Sequence, residues 1–264
     1  MNNYGAWAVT RFFKQSLAIT EVEVTKLLRD PTEMFTHGVQ PVLWIAIFGQ
    51  VFSRVSGIPT GNVSYIAFMT PGILAQSVLF SAIFYGIAVI WERDLGIIHK
   101  LLVSPAYRPA LVLGKAISSG VRGITQTAII YVVAFAMHIN VRLEFWPVVC
   151  VLLAVILGSA VFSTFSLIIA CLVKTRERFM GIGQVMTMPL FFASNAIYPL
   201  ELMPGWLKYI ALGNPLTYLV DALRELMIVG IDSAHGLLYD FGVMGAVFFV
   251  LLLVASRLYP TLVR

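Results

Sequence analysis

Six apolar segments, near 37–56, 62–90, 109–138, 146–173, 179–199 and 236–256, alternate with short charged links along this 264-residue chain. A helix needs about 20 apolar residues to cross a hydrocarbon core of about 30 Å, and each segment supplies roughly that length. In lipid every backbone N–H and C=O must find its partner within the chain, so spanning segments fold as helices or as closed barrels. The runs here are continuous and lack the alternation of barrel strands. The expected fold is therefore an all-α integral membrane protein with six transmembrane helices. Composition agrees: 59% of residues are hydrophobic and 12% charged, against about 25% charged in soluble domains.

The placement of Lys and Arg orients the spans. With the N-terminus inside, one side holds Arg11, Lys14, Lys26, Arg29, Arg93, Lys100, Arg108, Lys174, Arg176, Arg178, Arg257 and Arg264, and the other holds Arg54, Arg142, Lys208 and Arg224. Both termini are thus expected in the cytoplasm. Lys115 and Arg122 begin the third segment, and a charge at the bilayer centre costs about 2.5–3.5 kcal/mol. That end is expected to project into the cytoplasm or headgroup layer. The chain divides as one transmembrane domain, 1–264. Residues 1–36 form a cytoplasmic, interfacial N-terminal helix with Leu17, Val24, Leu27 and Leu28 on its apolar face, the pattern of a helix lying on a leaflet. Residues 37–256 carry the spans, and 257–264 are a cytoplasmic tail. Within them, 200–235 is cut by Pro204, Gly205, Gly213, Pro215 and Gly230 into two short amphipathic helices, expected as an external re-entrant hairpin dipping into the outer leaflet. Its charges Asp221, Arg224 and Glu225 are expected to pair locally along one helix.

Several functions are excluded. The basic residues sit at the ends of apolar segments and form no stripe with interleaved aromatics, which argues against nucleic acid. The four histidines are scattered and no Cys pair is near them, so no metal site is expected. Gly114-Lys115 lacks the remaining glycines of a phosphate-binding loop, and no catalytic constellation appears. If ATP is used, another chain binds it. Cys150 and Cys171 bracket one segment too far apart to pair and read as small buried apolar residues.

The connection after the second span, Trp91-Glu92-Arg93-Asp94-Leu95-Gly96-Ile97-Ile98-His99-Lys100-Leu101-Leu102-Val103-Ser104-Pro105, sets three charges and a glycine before an apolar ridge of Leu95, Ile98, Leu101 and Leu102 at helical spacing. A short helix docking into a groove on a soluble partner has these features; a solvated membrane-surface turn shares them.

The run Glu92-Arg93-Asp94-Leu95-Gly96 followed by Leu101-Leu102-Val103-Ser104-Pro105 resembles the coupling-helix signature of type-2 ABC exporter permeases. Pro71-Gly72 resembles the family's Pro-Gly pair in the second span. Ile197-Tyr198-Pro199-Leu200-Glu201-Leu202-Met203-Pro204, with Asn214-Pro215-Leu216-Thr217 and Ala222-Leu223-Arg224, resembles its external hairpin. The resemblance implies a permease that pairs with a second copy of itself in a bacterial cytoplasmic (inner) membrane. It also implies two copies of a separately encoded nucleotide-binding ATPase subunit, where ATP and Mg bind; no cofactor is expected in this chain. Coupling to that ATPase is expected through Glu92, Arg93, Asp94, Gly96, His99, Lys100, Leu101, Leu102 and Pro105. The substrate path, beside the first and fifth spans, is expected to be lined by Trp44, Phe48, Phe52, Phe191, Phe192, Asn195 and Tyr198. Packing or lipid contact is the competing role for the aromatics, and a helix–helix hydrogen bond for Asn195. An amphipathic or lipid-linked substrate (drug, lipid or glycolipid) is expected. The alternatives are polysaccharide, O-antigen or teichoic-acid export, or a non-transporting scaffold or sensor docked on an ATPase.

Overall fold

The computed structural model describes residues 3–29, 38–53, 63–104 and 106–263. These are α1 (Asn3–Arg29), α2 (Gly38–Phe52, with a π-helical stretch over Trp44–Gly49), α3 (Tyr65–Asp94), α4 (Ile97–Val103) and α5 (Arg108–Ala136). They continue as α6 (Phe145–Leu172), α7 (Arg176–Phe192), α8 (Gly205–Leu212), α9 (Pro215–Met227) and α10 (Leu237–Leu258), with 3-10 turns at Leu200–Leu202 and Tyr259–Val263. The fold is all-α, and no strand occurs among the described residues.

Four helices are long and apolar enough to cross a membrane: α3, α5, α6 and α10 with its terminal turn. The other two expected spans are shorter. α2 ends at Phe52, and positions 37 and 54–56 of that segment lie outside the described residues. α7 has 17 residues, about 25 Å. It closes where Asn214, from the hairpin, takes over its final carbonyls, donating to Leu190 O at 2.7 Å and Ala193 O at 3.0 Å. The same Asn214 accepts from Leu216 N at 3.0 Å and so begins α9.

α6 is the central helix, packed by α3, α5, α9 and α10, whereas α2 and α7 both lean on α3 at the edge. The bundle has an elbow end, where α3 turns through Gly96 into α4, and a hairpin end, where α8 and α9 fold back. Each has its own core. At the elbow end Ile90, Ile98, Leu111, Leu167, Phe179, Tyr259 and Leu262 join, and at the hairpin end α9 packs into the core of Phe68, Ile73, Val155 and Phe162.

Two expectations change here. The hairpin helix α9 presents no open polar face: nearly every residue from Leu216 to Met227 is buried, so α9 is a wedge between α3, α6 and α10. On α1, Leu17 and Leu28 face outward while Ser16, Glu23 and Leu27 are buried. Thr20 Oγ1, on that packed side, donates to Gly114 O at 3.1 Å. α1 therefore packs on α5 through a mixed stripe that includes Ser16, Ile19 and Thr20, while Leu17, Val22 and Leu28 stand exposed beside Lys14, Glu21 and Lys26.

Candidate functional site

At the elbow end α3 runs four residues beyond the predicted segment and ends at Asp94. Leu95 N donates to Trp91 O and Gly96 N to Arg93 O, and Gly96 takes φ 71°, the left-handed conformation that costs other residues about 1–2 kcal/mol. That single residue turns the chain into α4. Ile98 is buried, and Leu101 and Leu102 pack partly into the chain's own core. The outward surface is therefore Leu95, Ile97, His99, Lys100 and Val103; of the ridge predicted from spacing, Leu95 stands outward and Ile98, Leu101 and Leu102 turn inward. Pro105 lies outside the described residues.

The three charges before Gly96 bond within the chain. Asp94 is held by Arg176 at 2.8 Å and by Arg93 at 3.2 Å. Arg93 also donates to Lys174 O at 2.6 Å and Val173 O at 3.1 Å, and Arg176 lies over the Trp91 ring at 3.6 Å. The elbow is thereby tied to the end of α6 and the start of α7.

Glu92 is buried in a charge network that sequence reasoning missed. Lys115 Nζ reaches Glu92 Oε2 at 2.6 Å and Glu23 Oε1 at 3.2 Å; Lys26 reaches Glu92 Oε1 at 2.7 Å and Glu23 at 3.3 Å. Lys115 is enclosed by protein: it is 3% exposed, and two carboxylates from α1 and α3 compensate its charge. Burial raises the Glu23 carboxyl, but the adjacent Lys115 and Lys26 charges outweigh it and hold it down at about 2. Arg122 is likewise buried, its guanidinium 4.6 Å from the Tyr85 ring centroid. The signal that could have found the network is Lys115 itself, since a cation within an apolar helix requires a partner.

On the edge formed by α2 and α7, five expected aromatics come together. Trp44 stacks on Phe48 at 4.3 Å and meets Phe191 edge-on at 5.9 Å. Phe48 continues to Phe52 at 6.3 Å, and Phe191 to Phe192 at 5.3 Å. Phe48 and Phe192 are exposed, Trp44 and Phe52 half-buried, and Phe191 buried. α7 buries only Phe179, Gly183, Thr187 and Phe191, one residue per turn against α3, leaving Met180, Ile182, Val185, Met186 and Met188 exposed.

Asn195 does not join that face. It is buried in the turn after α7, and its amide donates to Asp221 Oδ1 on α9 at 3.2 Å, a structural bond between that turn and the hairpin helix. Tyr198 is half-buried, its hydroxyl donating to Phe192 O. Arg224 pairs with neither Asp221 nor Glu225. It donates to Asn195 O at 2.7 Å and lies 3.9 Å over the Phe68 ring, because α9 is enclosed and its charges turn to groups on neighbouring segments. Gly72, of the Pro71-Gly72 pair, faces the backbone of Ala196 so closely that a Cβ would stand 2.1 Å from its carbonyl oxygen.

Residues 14–228 match the family described as ABC-2 type transporter. The putative transport permease ycf38 of Cyanophora paradoxa is 28% identical over 237 residues, covering 86% of this chain and 79% of that protein. The daunorubicin resistance ABC transporter permease protein DrrB1 of Streptomyces coeruleorubidus is 23% identical, with 75% and 69% covered. Nodulation protein J of Bradyrhizobium diazoefficiens is 26% identical, with 88% and 85% covered.

Proposed function

Because the chain belongs to the ABC-2 type transporter family, we propose that it is the membrane permease of an ATP-driven exporter, docked on a separate ATPase through the α3–α4 elbow. The observation that carries this reading is the construction of the elbow. Leu95, His99, Lys100 and Val103 are presented outward, while Glu92, Arg93 and Asp94 bind the turn to α1, α5, α6 and α7. A partner pressing on α4 therefore acts on the whole elbow end of the bundle. In this reading two copies of the permease pair, each with one ATPase subunit that binds ATP and Mg, and the elbow end and both termini face the cytoplasm of a bacterial cell.

The substrate moves along the α2–α7 face. Its exposed aromatics and methionines offer apolar, polarisable contact with few polar groups, which suits an amphipathic molecule with a fused-ring or acyl portion. The daunorubicin named for the Streptomyces relative is of that chemical kind.

The test is co-purification. A tagged chain extracted in mild detergent brings down a stoichiometric nucleotide-binding subunit with ATPase activity. Gly96→Val then lowers the coupling of that activity to transport at least tenfold, with the chain still monodisperse. At Gly96 a Cβ meets nothing within 4 Å, so the cost is confined to the backbone turn. A chain that purifies alone, or a Gly96→Val complex that transports as the parent does, overturns the docking assignment.

A further inference from the structure

At the hairpin end, three side chains that the sequence separates converge. Asp221 lies on α9, Asp240 in the first turn of α10, and His235 in the turn that folds α10 back onto α9. One ligand-type atom from each lies within 4.8 Å of the others. Both carboxylates are buried and His235 opens to the outside.

The bonding of the cluster is incomplete. Asp221 Oδ1 accepts from Asn195, and Oδ2 faces Ala234 N at 3.2 Å and His235 Nδ1 at 3.4 Å. Asp240 is 0% exposed; its Oδ2 accepts from the Ser233 hydroxyl at 2.7 Å, while Oδ1 has no hydrogen-bond partner. A buried carboxylate oxygen without a donor is costly. Arg224, one turn from Asp221, is committed elsewhere, to Asn195 O and the Phe68 ring. Glu225 adds a further carboxylate nearby, accepting from Ser233 N at 3.0 Å. The site thus gathers three carboxylates, offset by His235 at the cluster and by the Arg224 charge acting on Asp221 from one turn away.

We propose that Asp221, His235 and Asp240 form a binding site for a divalent transition-metal ion of the zinc class. An imidazole with two carboxylates is a nitrogen–oxygen donor set suited to zinc, iron or manganese, and the imidazole disfavours calcium and magnesium. Three protein ligands leave a coordination position open toward the exposed His235 edge. The ring is already oriented, stacked on Tyr239 at 5.5 Å and tilted against Tyr218 at 5.7 Å, with Nδ1 toward Asp221. His235 and Asp240 lie beyond the 14–228 stretch that matches the family, whereas Asp221 lies within it. A bound ion joins α9 to α10 and, through Asp221 and Asn195, to the turn that follows α7.

The experiment uses the full chain, tag removed, stripped with chelator and titrated with zinc chloride alone, uptake being read by elemental analysis and calorimetry. One zinc per chain is expected, with affinity at least tenfold lower in His235→Ala and in Asp240→Asn. Cobalt(II) gives the parent a visible ligand-field band that His235→Ala lacks. His235 is exposed, so its variant decides the outcome even where Asp240→Asn folds poorly. Absence of saturable zinc uptake, or uptake of the same affinity in His235→Ala, overturns the site.

Discussion

The residue with the greatest electrostatic consequence is Lys115. It is enclosed at the junction of α1, α3 and α5, with Glu23 and Glu92 as its counter-charges. Removing one member of a buried ion cluster leaves the others uncompensated, at a cost of about 3–5 kcal/mol. Lys115→Met is therefore expected to lower the detergent-phase melting temperature sharply, whereas Arg257→Met, at the outward end of α10, leaves it nearly unchanged; fluorescence-monitored unfolding checks both. The pH dependence follows from Glu23, whose carboxyl falls from its ordinary 4.5 to about 2 on folding. A carboxyl lowered on folding contributes stability that is complete above 4.5 and lost as pH falls from 4.5 toward 2. The melting-temperature gap between the parent and Glu23→Gln should be full at neutral pH and close across that acid window. A gap constant down to pH 2 would contradict it. Little of this was legible from sequence. Lys115 and Glu23 are 92 residues apart, and each taken alone reads as a solvated charge near the end of a helix.

Among the elements, α3 is the one most closely fitted at both ends. Pro71 removes one backbone donor there, and the sequence suggests a kink. The structure supplies a firmer reason for the neighbouring glycine, the direct approach of Ala196. Small residues at helix contacts allow such approaches in membrane proteins. Gly72→Ala should cost about 1–3 kcal/mol or more through overpacking against backbone that has no rotamer to yield, read as loss of the monodisperse peak in size-exclusion chromatography. A wild-type profile and melting temperature for Gly72→Ala would show that the contact is not tight. α9 teaches a related lesson. Its apolar face was legible from spacing, since Leu216, Leu219, Val220, Leu223 and Met227 are all buried. Its enclosure was not, because Asp221 and Arg224 turn to Asn195, Ala234 and Phe68, partners that only the folded chain brings near.

For the whole molecule, the all-α class and the positions of the apolar segments followed from hydropathy, and Trp44, Phe48, Phe52, Phe191 and Phe192 gather on one edge. The length of α7 did not follow, because apolar composition continues past the point where Asn214 and the turn at 193–199 end the helix. With one stripe buried and the remainder exposed, α7 is the surface on which a second copy is expected to pair. In a background with Cys150 and Cys171 changed to Ser, Val185→Cys should form a disulfide-linked dimer in native membranes. Phe249→Cys, on the outward side of α10, should not. Linkage at 249 and none at 185 would place the pairing surface elsewhere.

The 30 residues of α3 amount to a rod about 45 Å long, longer than the hydrocarbon layer of about 30 Å. It is gripped at Glu92 by two lysines, and near its opposite tip by Ala196 and by Ile197, whose carbonyl accepts from the Tyr65 hydroxyl at 3.2 Å. A rod of this length would act as a lever: tilting it by about 10° about its middle carries each tip through about 4 Å, in opposite directions. A push of that size at Gly96 would then arrive beside Asn195 and the aromatic face as a displacement of the same order, with a single helix as the transmission.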